Sequence, residues 1–317
     1  MTELIKNFSE LGKGDVGIAG GKGASLGEMT GAGILVPLGF VILSPAFEKF
    51  LEETDLNVEI DSILHEVNHQ EIHTVEHASE KIQKLILEAK VPVDIESVIK
   101  NKFAILNAEY VAVRSSATAE DSGSAAWAGQ LETYLNTSKE TLLQNVQKCW
   151  ASLFTPRAIF YRFEKSLHNT KISVAVVIQK MIQSEVSGIA FSVHPVTEDR
   201  NQMIIEAGYG LGESIVSGSI TPDSYVVEKQ PRHIIDKNIS EQERLLVRNG
   251  AGNDWAMVPY SKRRLQKLTD EKILELAKLV IEIEEHYKSP QDIEWALSDN
   301  FLYVTQSRPI TTLKNIK

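Results

Sequence analysis

Two carboxylates, an amide and a guanidinium stand close together near the end of the chain: Asp292 and Glu294 in DIEWAL, Gln306 and Arg308 in FLYVTQSR. The two stretches flank Ser298-Asp299-Asn300 and predict a β-hairpin with a three-residue turn. With Asp292 opposite Gln306 and Glu294 opposite Val304, the even-numbered residues of both strands share a face. That face carries Asp292, Glu294, Gln306 and Arg308 at its far end, while Ile293, Trp295, Phe301 and Tyr303 point into a core. Oxygen donors of this kind suit a hard cation such as Mg²⁺, which takes one or two carboxylates and completes its shell with water and phosphate oxygens. The arginine would then reach a phosphate. A slip of one residue in register dissolves the group, and the plain alternative is a surface hairpin with an incidental Asp/Arg pair.

Three further segments carry residues of the right type. Gly20-Gly21-Lys22-Gly23 places a lysine among glycines just before an expected helix, where backbone amides and a compact cation can approach an anion; the Walker A spacing is absent. Arg114 stands at an expected strand end, followed by a loop of small residues that could close over phosphates. Gly208-Tyr209-Gly210-Leu211-Gly212-Glu213 lacks the dinucleotide fingerprint and reads as a tight loop at a ligand site or a plain turn. His65-Glu66-Val67-Asn68-His69 is a literal zinc-peptidase pattern and supports a metallopeptidase reading from another enzyme class. On a helical wheel, however, both histidines fall opposite Ile60, Ile63, Leu64 and Val67, which makes them a solvated stripe.

The elements that must position these groups are mixed. We expect a strand within 36–43, a helix opened by Pro45, two or three surface helices across 57–107, and a strand at 110–114. Thr137 and Glu140 fit a capping box for the next helix, and Thr155-Pro156 starts another. Strands follow at 172–179, 188–193, 202–206 and 223–228, then a helix at 270–287. The pattern is α+β, and 317 residues suffice for two domains. A net charge of −10 disfavours a whole-molecule nucleic-acid binder, a lone Cys149 forms no internal disulfide, and no apolar run reaches a membrane span. The expectation is a cytoplasmic protein with no membrane or nucleic-acid partner.

Taken in order, GGKGASLGEM, VPLGFVI, AVRSSATAEDS, AGQLETYLN, CWASLFTPRAIFYR, VIQKMIQSEVSGIAFSVHPVT, AGYGLGESIVSG, TPDSYVVE, DIEWAL and LYVTQSRPIT resemble the nucleotide-binding domain of the phosphoenolpyruvate synthase and pyruvate phosphate dikinase family. The HPVT and QSRPIT wording is similar to its rifampin phosphotransferase branch, whose members inactivate an antibiotic and so confer resistance. The resemblance implies an ATP-grasp fold in which two α+β subdomains, 1–170 and 171–317 here, clasp ATP and Mg²⁺. It implies cleavage of ATP to AMP and phosphate, the β-phosphoryl group passing to a histidine on a separate swivelling domain and then to rifampin or, in the synthases, pyruvate. By position, Lys22 and Arg114 resemble the family's terminal-phosphate cations, and Gly129 and Thr133 fall in its phosphate-covering loop. Gln179, Lys180, Met181 and Ile182 align with the stretch that receives adenine, and Glu213 is placed near the ribose. Glu294 and Gln306 match metal ligands with Asp292 near them, and Arg308 matches a phosphate-binding arginine. Nothing here resembles the histidine loop or the acceptor-binding domain, so the expectation is a nucleotide-binding domain that cannot complete transfer alone; a non-catalytic ATP-binding module stays open beside it.

Overall fold

Alternation along Val174–Lys180 sends Val174, Val176 and Ile178 to one side of a sheet and Ala175, Val177 and Gln179 to the other, and all six side chains are buried. A strand buried on both faces needs neighbours on both edges and cover on both sides. The computed structural model, which describes residues 3–118, 132–165, 173–250 and 252–313, supplies these.

The chain divides into two units. The first, residues 1–31 and 38–181, contains β1 (Ile5–Asn7), α1 (Val16–Gly31), β2 (Gly39–Ile42), α2 (Ser44–Glu53), α3 (Leu56–His65), α4 (Ile72–Glu88) and α5 (Val93–Leu106). It continues through β3 (Val111–Ala117), β4 (Thr133–Thr137), α6 (Leu142–Ala151), α7 (Pro156–Glu164) and β5 (Val174–Lys180). The sheet order is β1-β2-β5-β3-β4, antiparallel throughout, with β5 in the middle. Phe40, Ile42, Val111, Val113 and the even residues of β5 meet the buried stripes of α2 to α7, where Phe50 stacks on Trp150 at 4.8 Å between ring centroids. The opposite face is covered by α1, whose Gly23 packs on Val41. The expected boundary at 170/171 therefore moves: β5 cannot leave the sheet that it centres, and the first unit runs to Met181.

Thr155 caps α7 as expected, its Oγ1 accepting the Ala158 N–H at 3.2 Å. The capping box at Thr137 is corrected. Thr137 ends β4, its Oγ1 accepting Asn145 Nδ2 at 2.8 Å, and α6 begins only at Leu142. Thr133, expected in the phosphate-covering loop, instead opens β4, where it pairs with Arg114 of β3.

The second unit, residues 32–37 and 182–317, contains β6 (Val186–Phe191), β7 (Gln202–Tyr209), α8 (Glu213–Val216), β8 (Asp223–Glu228), β9 (His233–Asn238), β10 (Arg244–Asn249), β11 (Gly252–Met257), α9 (Asp270–Tyr287), β12 (Gln291–Ser298) and β13 (Phe301–Pro309). Six strands form an antiparallel sheet in the order β13-β12-β6-β7-β8-β9. The stripe Ile273, Leu276, Ala277, Val280 and Ile283 of α9 is buried, and the helix packs on β7, β8, β9 and β12. Trp295 of β12 is accommodated because its partner on β6 is Gly188, where a Cβ would stand 2.8 Å from the indole and 1.8 Å from a backbone oxygen. Away from the hairpin, Lys267 and Asp223 form a fully buried ion pair at 2.7 Å, and Tyr225 Oη donates to the same carboxylate. Among the described residues no helix is long and apolar enough to cross a membrane.

Candidate functional site

The hairpin forms, with a different turn and register from those the spacing predicts. Ser298 pairs with Phe301, so the turn has two residues, Asp299 and Asn300, both at positive φ as this tight turn type requires. Pairing runs regularly to Trp295 opposite Val304; Thr305 is then an extra residue, and beyond it Glu294 faces Gln306 and Asp292 faces Arg308. Relative to expectation the far end slips by two residues, which preserves its faces, and the turn end by one, which reverses them. Asp292, Glu294, Gln306 and Arg308 thus share a face as expected. Phe301 and Tyr303 do not enter the core; Leu302 and Val304 do, beside Ile293 and Trp295.

On that face Arg308 donates Nε at 2.8 Å and a terminal nitrogen at 2.7 Å to one oxygen, Oδ2, of Asp292. Burial pushes the Asp292 carboxyl above the usual range; Arg308 pulls it back, and Glu294 adds to the rise. Glu206 of β7 belongs to the same face, because Ile189 of β6 pairs with Glu206 on one side and Glu294 on the other. Its carboxyl is also pushed up, first by burial and then by Asp292. The sequence reading missed Glu206, although a lone acid in the apolar run Met203-Ile204-Ile205-Glu206-Ala207 was a usable signal.

In the first unit Arg114 is buried and donates to Gln179 Oε1 at 3.4 Å across β3 and β5. Thr133 stands opposite Arg114 on β4. Ser116, two residues along β3 and on the same face, accepts the backbone N–H groups of Lys22 at 3.1 Å and Gly23 at 3.3 Å. The expected glycine cradle is therefore a helix start: α1 kinks at Gly20, and Ser116 caps its second segment. Gly20 has φ +68°, and a Cβ there would lie 2.2 Å from Ser116 Oγ, so only glycine permits the contact. Lys22, Arg114, Thr133 and Gln179 are thereby gathered on the α1 side of one sheet.

The other residues are placed as follows. Lys180 is exposed at the end of β5, and the N–H groups of Lys180 and Met181 already donate to Leu38 and Tyr110 carbonyls at 2.8 and 3.1 Å. Ile182 begins the second unit's main segment. Glu213 stands at the start of α8, where it accepts Asn253 Nδ2 of β11 at 3.0 Å. Gly129 lies outside the described residues. The zinc pattern does not assemble: α3 ends at His65, His69 lies beyond it stacked on Phe163, and no group of three His, Cys, Asp or Glu able to hold a metal occurs among the described residues.

The same count bears on the hairpin. Its donor set is two carboxylates and one amide, which fits a hard cation that draws the rest of its shell from water and phosphate rather than from a protein cage. Taken separately, the first unit gathers Lys22 and Arg114 on one sheet face, and the hairpin face of the second unit gathers oxygen donors beside Arg308.

Comparison with known proteins gives this chemistry a family. The model for the pyruvate phosphate dikinase AMP/ATP-binding domain matches residues 16–317, and the chain belongs to that family. It is 45% identical to a probable phosphoenolpyruvate synthase of Methanocaldococcus jannaschii, over 99% of this chain and 27% of that protein. A second probable phosphoenolpyruvate synthase, from Methanothermobacter thermautotrophicus, is 43% identical over 99% of this chain and 47% of its own length. The rifampicin phosphotransferase of Bacillus subtilis is 38% identical over 99% of this chain and 36% of its own. The chain thus spans less than half the length of each of these relatives.

Proposed function

We propose that this chain is an ATP-grasp domain that binds ATP with Mg²⁺ for a dikinase-type phosphotransferase. The observation that carries the reading is the shared face of Asp292, Glu294, Gln306 and Arg308 in a chain matched by an AMP/ATP-binding model. In this reading Asp292, Glu294 and Gln306 hold Mg²⁺, which neutralises phosphate charge and orients the polyphosphate. Arg308, Lys22 and Arg114 supply the remaining positive charge. Arg114 does so from a buried position, where a cation is worth more than in water and needs no reorganisation during the reaction. Thr133 and Gly129 belong to the segment that covers the phosphates, Gln179 to Ile182 receive adenine, and Glu213 lies near the ribose.

The overall reaction is ATP, acceptor and water to AMP, phosphorylated acceptor and inorganic phosphate. The β-phosphoryl group passes through a histidine on a swivelling domain and reaches the acceptor on a third domain. Motif wording supports rifampin as the acceptor; the 45% and 43% identities to phosphoenolpyruvate synthases, against 38% to the rifampicin enzyme, weigh toward pyruvate. The test is AMP release from ATP and Mg²⁺ when a phosphohistidine-bearing domain is added in trans, followed by assay of the longer protein with each acceptor. AMP appearing only with the added domain is expected. Absence of AMP at saturating ATP contradicts the dikinase mechanism, and tight ATP binding without transfer identifies a non-catalytic module.

A further inference from the structure

The hairpin's metal-binding face depends on a change of register that the turn does not dictate. If the turn's register ran on past Trp295, Glu294 would face Thr305 and Asp292 would face Ser307, and Gln306 and Arg308 would turn to the α9 side. Something must hold the shifted pairing at the far end. On the buried side of that end, Ser307 Oγ donates to Gln291 Oε1 at 2.8 Å, and both residues are almost fully buried at 4% and 1% exposure. The Gln291 N–H donates to Ser192 Oγ at 2.8 Å, and Ser192 Oγ donates to Glu284 Oε1 of α9 at 2.9 Å. Glu284 is fixed in turn by an ion pair with Lys229. In the unshifted register Ser307 would leave this side, and a buried amide oxygen would lose its donor.

We propose that Gln291 and Ser307 are positioning residues that lock the far end of the hairpin in the shifted register and so bring Gln306 and Arg308 onto the face of Asp292 and Glu294. The inference rests on the reading of that face as the Mg²⁺-ATP site. It separates two tasks along the same strands: even-numbered residues of the far end meet the ligand, and odd-numbered ones hold the register.

The test is calorimetric titration of the whole chain with ATP in Mg²⁺, with ATP in EDTA, and with AMP, for wild type, Ser307→Ala and Gln291→Met. Both variants should lose about fivefold in the Mg²⁺ enhancement of ATP affinity, the size of one net hydrogen bond, with AMP affinity unchanged. If the nearly isosteric Gln291→Met does not fold, Ser307→Ala carries the measurement. Deleting Thr305 sharpens it, since pairing then becomes continuous with Glu294 still opposite Gln306; in that background Ser307→Ala should cost no Mg²⁺ enhancement. An unchanged enhancement in the single variants, equal losses for ATP and AMP, or a Ser307→Ala loss that persists without Thr305 each overturns the proposal. A wild-type chain that binds ATP equally with and without Mg²⁺ overturns instead the functional reading beneath it.

Discussion

The two units hold their charged groups by opposite means. In the first, cations are built into the sheet: Arg114 is buried against Gln179, and Lys22 rides on a helix start that Ser116 ties to the same strand. In the second, acids crowd one face, with Asp292 answered by Arg308 and with Glu206 and Glu294 on either side of Ile189. Burial pushes the Asp292 and Glu206 carboxyls up, and Asp292 adds to the rise at Glu206, a penalty that a bound cation would relieve. Under the proposed function, the first unit is prepared for an anion in advance, and the second becomes favourable only with a metal.

Substitutions can break or sharpen this contrast. The largest effect is expected from Gly20→Ala, whose Cβ meets Ser116 at 2.2 Å in a conformation reserved for glycine. It should cost about 4 kcal/mol or more and lower the melting temperature of the first unit. Arg114→Ala should weaken ATP binding about a hundredfold in titrations and leave AMP within about threefold, as loss of a buried charge-assisted contact does. Equal losses for the two nucleotides would mean that Arg114 does not face the terminal phosphates. Arg308→Ala, at a half-exposed position, should cost ATP about tenfold with the same sparing of AMP. Glu294→Ala should reduce ATP affinity about tenfold in Mg²⁺ and hardly at all in EDTA, which separates it from both arginines.

The smallest effect concerns Glu206. Its carboxyl is pushed up by burial and by Asp292, so the folded state favours the neutral form. The associated stability is present below the ordinary carboxylate pKa and is lost as pH rises through the raised value. Glu206→Gln should therefore raise the melting temperature of the metal-free chain at pH 7 while leaving it near wild type at pH 4. A larger gain at the acidic end would contradict the assigned cause.

What could be read from the sequence follows how local each interaction is. The Thr155-Pro156 helix start and α9 at Asp270–Tyr287 were legible because their signals are contiguous. The hairpin was legible as a hairpin, and its acidic face survived because the far end is off by an even number of residues. The bulge at Thr305 was not, since no residue type there announces it, and the two-residue turn in place of three put Phe301 and Tyr303 on the other side. Ser116 as the cap of the Lys22 helix was also hidden, because the two lie 94 residues apart and only the assembled sheet brings them together. Lys22 and Arg114 were legible from their neighbours, a glycine cluster and a small-residue loop, with the resemblance adding to that reading, whereas the role of Glu213 came from family resemblance alone. The structure gathers the first two and leaves Glu213 with Asn253.

The central claim is that the hairpin face makes nucleotide binding metal-dependent while the first unit grips the phosphates. The most direct measurement is calorimetric titration of the purified chain with ATP, with and without Mg²⁺, with AMP as the reference. The account predicts one ATP per chain, bound more tightly in Mg²⁺, and an AMP affinity indifferent to the metal. Equal ATP affinity with and without Mg²⁺, or no preference for ATP over AMP, would contradict it.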